Sequence, residues 1–289
     1  MAGRQFNRIS RRQLHGLGLS DAAIVHRLST GRLAVAEEGV FAVAPLLEHD
    51  PWGRWMGATL TAPGSVLSRT SAAAAWGISS GGRRFEVVTR PGSGGPRRHG
   101  GVLVHRSSTL EGERTELRGI PITTVPRTLL DLSPGSSGRA LARAVREAVR
   151  LGLVTVEELA DALGRFRGRR GSRRLAQTVA RYAGLPLERA RSGAEVRALE
   201  TLRAAGRPLP GLNIRIAGEE ADLSWADRRL IVEIDGRPFH LDRGEDARKE
   251  DAWRRAGWTV HRIPSEDIYE RPHLLLRLTP PPNVPEYPS

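Results

Sequence analysis

The most constraining stretch of the chain is RLIVEID, residues 229–235. Period-two alternation places Leu230, Val232 and Ile234 on one face of a strand and Ile231, Glu233 and Asp235 on the other. The first face reads as core. The second carries two acids, and a buried unpaired carboxylate is costly enough that a sheet keeping it must supply a positive partner. EEADLSW, just upstream, reads as a second strand joined by a tight turn near Ala226–Arg228. A turn centred on Asp227–Arg228 sets Asp222 opposite Glu233, and like charges facing each other on neighbouring strands repel. Two kinds of cation answer that repulsion. One is a divalent ion, Mg²⁺ or Mn²⁺, which takes hard oxygen ligands. The other is guanidinium from Arg228, Arg229 or Arg237 in a structural salt-bridge network. Convergence of acids from two strands favours the metal.

A metal held by Asp222 and Glu233 suits phosphodiester hydrolysis, because the ion polarises a phosphoryl oxygen and lowers the pKa of bound water. A general base should stand close by. His240, after the Gly236–Pro238 bend, is the candidate; a hydrogen-bonded structural histidine is the plainer reading.

The formal net charge of +13 points toward nucleic acid. The excess is uneven: residues 51–190 hold 23 basic and 10 acidic side chains, whereas residues 191–289 hold 16 and 17. RFRGRRGSRR contributes Arg165, Arg167, Arg169, Arg170, Arg173 and Arg174, and reads as a flexible basic connector able to hold phosphates, or as a solvated linker. Lys249, the single lysine, and Arg248 lie on a later helix, where they could steady phosphate charge or simply face solvent. The chain has no cysteine, which excludes disulfides and thiolate metal sites. No apolar run nears the roughly 20 residues that span a bilayer. MAGRQFNRISRRQ lacks the apolar stretch of a secretory signal, so cytoplasm is the expected compartment and no membrane partner is expected.

Along the chain, Ser10 caps RRQLHGL, Ser20 caps DAAIVHRLSTG, and RLAVAEEGVFAVA turns on Glu38–Gly39 as a hairpin. Helix, turn, helix and wing make a winged helix-turn-helix, with Arg27 and Arg32 as its basic contacts. FEVVTR and VLVHRSS read as strands around the loop PGSGGPRRHGG, and GIPITTVPRTLLDLS as a strand entering a turn. Residues 137–182 read as three helices. From residue 191 the order is αβββαβα, a small mixed sheet flanked by helices.

"SGAEVRALETLRAAGRPLPGLNIRI", "ADLSWADRRLIVEIDGRPFH" and "DARKEDAWRRAGWTVHR" together resemble nucleases related to very-short-patch mismatch repair endonucleases, within the PD-(D/E)XK restriction-like fold. The resemblance implies that Glu195, Asp222 and Glu233 bind Mg²⁺ and that His240 matches a histidine used by the mismatch endonucleases. The chain departs from that pattern where Asp235 occupies the usual lysine position; either Asp235 is a further metal ligand with His240 as base, or the site is weak or dead. "SRRQLHGLGLSDAAIVHRLSTGRLAVAEEGVFAV", "SRTSAAAAWGI" and "GIPITTVPRTLLDL" resemble AbiEi-type antitoxins of type IV toxin–antitoxin systems, which implies DNA binding, transcriptional autoregulation and a cognate toxin. Asp21 on the second helix and Glu37–Glu38 in the wing repel phosphate and count against tight DNA binding there.

The expected architecture is therefore an α/β multidomain protein. A winged helix-turn-helix (1–50) leads into an antitoxin-like mixed α/β domain (51–135) and a helical basic connector (136–190). A restriction-endonuclease-like αβ sheet domain (191–278) and a Pro-rich tail (279–289) complete it. The expected activity is Mg²⁺-dependent DNA cleavage by Asp222, Glu233, Asp235, His240 and Glu195. A non-catalytic, antitoxin-like regulator that keeps the restriction-like domain as a scaffold is the alternative.

Overall fold

The computed structural model describes residues 1–43, 50–79, 85–236 and 243–279, with backbone alone for 243–245. Two compact units emerge: Met1–Ala148 with Val156–Val179, and Val149–Thr155 with Ala180–Ser289. The protein is mixed α/β, and twelve helices and three sheets are found among the described residues.

The first unit opens with a 3₁₀ turn, Ala2–Gln5, then β1 (Arg8–Ser10), α1 (Arg11–Gly16), α2 (Asp21–Ser29), β2 (Ala34–Glu37) and β3 (Val40–Ala42). Both helices start where a serine hydroxyl can accept an orphan amide: Ser10 from Gln13 and Ser20 from Ala23. Gln13 returns the bond to the Ser10 amide and closes a capping box. Gly39 takes φ +72° in the β2–β3 turn. β1 adds antiparallel to β3, in the order β1-β3-β2. Ile9, Leu14, Ile24, Leu33 and Phe41 fill the space between this sheet and the two helices.

The chain continues through α3 (Pro51–Thr61), β4 (Val66–Leu67), α4 (Arg69–Ala75), β5 (Glu86–Pro91), β6 (Arg97–His99), β7 (Val102–Ser107), β8 (Arg114–Leu117), β9 (Ile120–Thr123) and α5 (Val125–Leu132). The six strands form one sheet, β6-β7-β5-β4-β9-β8, with β5 and β7 parallel. Two expectations change here. PGSGGPRRHGG contains the edge strand β6, which is mostly exposed and so needs no apolar residue to reveal it. VPRTLLDL is a helix and not a turn: the Thr124 hydroxyl accepts the Arg127 amide, and proline sits in the first turn, where its missing N–H costs nothing.

α6 (Gly138–Arg150), α7 (Val156–Arg165) and α8 (Ser172–Ala180) come next. RFRGRRGSRR is a structured turn and not a flexible connector. Phe166 in its middle is fully buried, and Arg169 and Ser172 amides donate to the Phe166 and Arg169 carbonyls. Gly171, at φ +90°, lies so close to Ser133 and Pro134 that a Cβ would stand 2.8 Å from the Ser133 Cβ.

In the second unit α9 (Gly193–Ala204) precedes β10 (Gly211–Ile216), β11 (Glu219–Trp225), β12 (Leu230–Asp235), α10 (Arg243–Arg255), β13 (Thr259–Pro264), α11 (Ser265–Glu270) and α12 (His273–Leu278). The sheet runs β10-β11-β12-β13, antiparallel except for the β12–β13 pair, which α10 joins as a crossover. The expected single last helix is two, separated at Arg271 and Pro272. Of the expected tail, residues 280–289 lie outside the described residues.

Gly171→Ala should cost the first unit about 1–3 kcal/mol, since it adds a methyl against proline and serine and forces a side chain into a left-handed conformation. Urea denaturation with hydrogen exchange resolved to the α7–α8 region checks this. Unchanged protection would mean that the turn gives way without penalty.

Candidate functional site

The β11–β12 ladder pairs Trp225 with Leu230, Ser224 with Ile231 and Leu223 with Val232. One step further along the same register, Asp222 stands opposite Glu233. There the side chains replace the ladder. The Asp222 amide donates to Glu233 Oε1 at 2.9 Å, and the Ile234 amide donates to Asp222 Oδ2 at 2.8 Å. Each carboxylate thus has one oxygen fixed by the neighbouring strand. Among the described residues, Asp222 Oδ1 and Glu233 Oε2 take no protein hydrogen bond, and no arginine is ion-paired to either group.

Burial sets the electrostatics of this pair. It pushes Glu233 from an ordinary 4.5 up to about 7; Asp222 pushes the same way, while the Asp222 amide, Arg262 and Lys249 pull against it. Asp222 is raised as well, first by burial and then by Glu195, Asp235 and Glu220, with the Ile234 amide opposing. Four of the expected site residues, Asp222, Glu233, Asp235 and Glu195, therefore share one electrostatic neighbourhood.

Their roles within it differ. Glu195 lies on the first turn of α9 and is 4% exposed. Its Oε2 accepts from the Arg191 amide and from Asn213 Nδ2, both at 2.9 Å. Asn213, at φ +50°, carries this link from β10, so Glu195 ties the start of α9 to the sheet beside Asp222. Asp235 is bound by Arg262 Nη1 at 2.9 Å, and the same guanidinium reaches Asp246 at 3.7 Å and Glu250 at 3.5 Å. The arginine expected from Arg228, Arg229 or Arg237 comes from β13 instead and closes on Asp235. Arg228 pairs with Asp227 at 3.5 Å. Arg237 and His240 lie outside the described residues.

Trp253 brings α10 to the site. It is fully buried, packs with Ala221 and Ile231, and donates from Nε1 to the Ile216 carbonyl at 3.0 Å. Lys249 precedes it by one helical turn, on the same side of α10. That spacing puts the single lysine of the chain, half-buried, within electrostatic reach of Glu233. Arg248 is exposed beside it.

The other basic residues expected to meet nucleic acid divide into two groups. Arg165 pairs with buried Glu113 at 3.2 Å, Arg169 lies 5.2 Å over the Phe166 ring, and Arg174 donates to the Ser133 carbonyl at 3.3 Å. These three hold the α7–α8 turn in place. Arg167, Arg170 and Arg173 are exposed. Near the N-terminus, Arg27 of α2 donates to the Ala23 carbonyl at 3.1 Å and Arg32 is exposed. Asp21 is ion-paired to Arg11 and lies 3.4 Å from His15 Nε2. Glu37 is raised by burial and receives the Gly101 amide. Asp21 is paired within the unit and Glu37 is half-buried, while Glu38 stays exposed, so the repulsion expected between these acids and phosphate is reduced and not removed.

Sequence reasoning missed Arg262 and Asn213. An arginine inside the short strand TVHRIP was the available signal for the first. The second had none.

Among the described residues, no three acidic or histidine side chains form a complete metal-binding group. Mg²⁺ needs only one or two carboxylates and keeps several of its waters, so the free oxygens of Asp222 and Glu233 fit such an ion. Comparison with known family models and with curated proteins finds no match. No helix among the described residues is long and apolar enough to cross a membrane.

Because folded Glu233 holds its proton up to about 7 against an ordinary 4.5, its contribution to stability is complete below pH 4.5 and is lost as pH rises through 7. The melting midpoint of the second unit should fall between pH 5 and pH 8. Glu233→Gln, neutral throughout, should melt higher than the parent at pH 8 and show a shallower fall. Mg²⁺ should raise the parent at pH 8 and not the variant. Melts followed by tryptophan fluorescence test this; identical pH profiles for the two proteins would exclude Glu233 as the source.

Proposed function

We propose that the second unit is a Mg²⁺- or Mn²⁺-dependent DNA endonuclease and that the basic first unit holds the duplex. The observation that carries this reading is the Asp222–Glu233 pair: two half-buried carboxylates across the end of one ladder, each with one oxygen held by an amide and one oxygen free. When bound, the ion supplies Lewis acidity toward a phosphoryl oxygen and lowers the pKa of a coordinated water. The protein's own residues do the rest. Asp222 and Glu233 would hold the ion, and the main-chain amides keep them from rotating away. Glu195 fixes α9 against β10 beside them, and its Oε1 is the remaining carboxylate oxygen of the set. Asp235, neutralised by Arg262, leaves the ligand set. The positive charge that the restriction-like pattern places next on the strand comes here from Lys249, one turn before the Trp253 anchor, where it can stabilise charge developing on phosphate. His240 is the proposed proton acceptor on the resemblance alone.

The αβββαβα order, with β12 and β13 parallel, supports the restriction-like reading of this unit. The helix, turn, helix and hairpin of residues 11–42 support the winged-helix reading and DNA as the partner. Cytoplasm as the compartment follows from that partner.

One observation favours the second reading, an antitoxin-like regulator that binds DNA or a toxin without cleaving it: Arg262 closes Asp235 off, and β12 carries no lysine. Purified protein with supercoiled plasmid and with mismatched duplexes, in Mg²⁺, Mn²⁺ or EDTA, separates the two. Metal-dependent nicking should fall about 100-fold or more in Asp222→Ala and about 10- to 100-fold in Lys249→Ala, with gel-shift affinity unchanged. Plasmid that is shifted but never nicked, equally by parent and Asp222→Ala, would establish the regulator.

A further inference from the structure

We infer that a row of three arginines, Arg97, Arg106 and Arg90, on one face of β6, β7 and β5 is a contact for the phosphodiester backbone of DNA. The inference rests on the reading of the first unit as the part that holds the duplex, and it names a surface that does so.

Register places the row. Arg90 and Arg106 are direct partners across the parallel β5–β7 pair, so their side chains leave the same face of the sheet. Arg97 of β6 partners Val104, two residues before Arg106, and therefore shares that face. On it, Val88 and Val104 belong to one core with Trp55 and Met56 of α3. Arg90 and Arg106 come two residues further on, past the end of that core.

Like charges set directly opposite each other on neighbouring strands destabilise a sheet. Here nothing in the protein answers them. Among the described residues, the guanidinium groups of Arg90, Arg97 and Arg106 take no ion pair and no hydrogen bond. Arg97 and Arg106 are exposed. Arg90 is half-buried, and its Nε is shut away without an acceptor, so the fold leaves its charge uncompensated. Glu86, on the same face, stands four residues before Arg90, about 13 Å along the strand. It is held by the Ser71 hydroxyl at 2.6 Å and by Arg54 at 3.8 Å. Arg98, on the opposite face, shows the contrast: it lies 4.3 Å over the Phe85 ring and donates to the Gly100 carbonyl at 2.9 Å.

The glycines of PGSGGP make room for the row. A Cβ at Gly94 would lie 3.6 Å from Arg106 Cδ, and one at Gly92 would lie 3.9 Å from its Nη1. Bare main chain thus runs alongside Arg106 and leaves its guanidinium uncovered. A row of cations with no acid among them complements a row of anions. Three strands about 4.8 Å apart span about 10 Å, the length of about three phosphates of one DNA strand at 3.4 Å of axis each. Such contacts fix the duplex without reading bases.

The full chain is titrated, in EDTA, into two labelled duplexes of unrelated sequence between about 50 and 200 mM KCl. The double variant Arg97→Gln, Arg106→Gln should bind both about 10-fold more weakly, and the slope of log affinity against log salt should fall by about 2, as two lost phosphate contacts require. It should melt no lower than the parent, because it relieves the repulsion between Arg90 and Arg106. The control Arg12→Gln, Arg114→Gln removes the same charge at exposed positions, one of them on the opposite edge strand of the sheet, and should keep the parent's slope. An unchanged slope in the first variant, an equal loss in the control, or a lower melting midpoint would overturn the inference and leave the duplex reading standing. A parent with no salt-dependent affinity for either duplex would overturn both.

Discussion

Two carboxylates facing each other across the end of a β-ladder set the terms for the second unit. Asp222 and Glu233 meet where the ladder's main-chain pairing stops, and bonds from the Asp222 and Ile234 amides to the two carboxylates take its place. That exchange offsets part of the cost of withdrawing them from water, but amides compensate only one oxygen each. Burial still raises both pKa values, and Glu233 sits near 7. An arrangement that keeps two acids this close at neutral pH either shares a proton or waits for a cation. A site of the second kind suits metal-assisted phosphodiester hydrolysis.

The elements around the pair can be understood as devices that hold it. Trp253 docks α10 against the sheet and brings Lys249 toward Glu233. Arg262, on the parallel neighbour β13, gathers Asp235, Asp246 and Glu250 and so offsets part of the repulsion that Asp235 adds at Asp222. Glu195 and Asn213 pin the start of α9 to β10. A negative centre flanked by one guanidinium and one ammonium is consistent with the near-zero net charge of the last hundred residues.

The first unit pairs several of its acids internally and leaves part of its basic surface free. Asp21 answers Arg11 and His15, and Glu37 answers the Gly101 amide. Half of the arginines in RFRGRRGSRR are structural: they cover Phe166, pair with Glu113 and cap a carbonyl. Counting arginines therefore overstates the surface available to phosphate, while counting Asp21 and Glu37 as free acids overstates the repulsion. The two errors act in opposite directions, and both arise because charge is a property of neighbourhoods more than of composition.

Local chemistry was legible in the chain. Serine caps at Ser10 and Ser20, the glycine turn at Gly39, and the strands β5, β7, β11 and β12 all depend on interactions within a few residues, which sequence displays directly. So does the Asp222–Glu233 register, because a short turn leaves little freedom in pairing. The partners that reach β12 from later in the chain were decided only by the tertiary structure. That Arg262 reaches Asp235 depends on a parallel strand delivered by a crossover, and that Lys249 faces Glu233 depends on where Trp253 finds its pocket. The Arg165–Glu113 pair joins positions 52 residues apart in the chain. Contacts of that separation are chosen by packing and burial summed over the whole unit, and no local pattern encodes them.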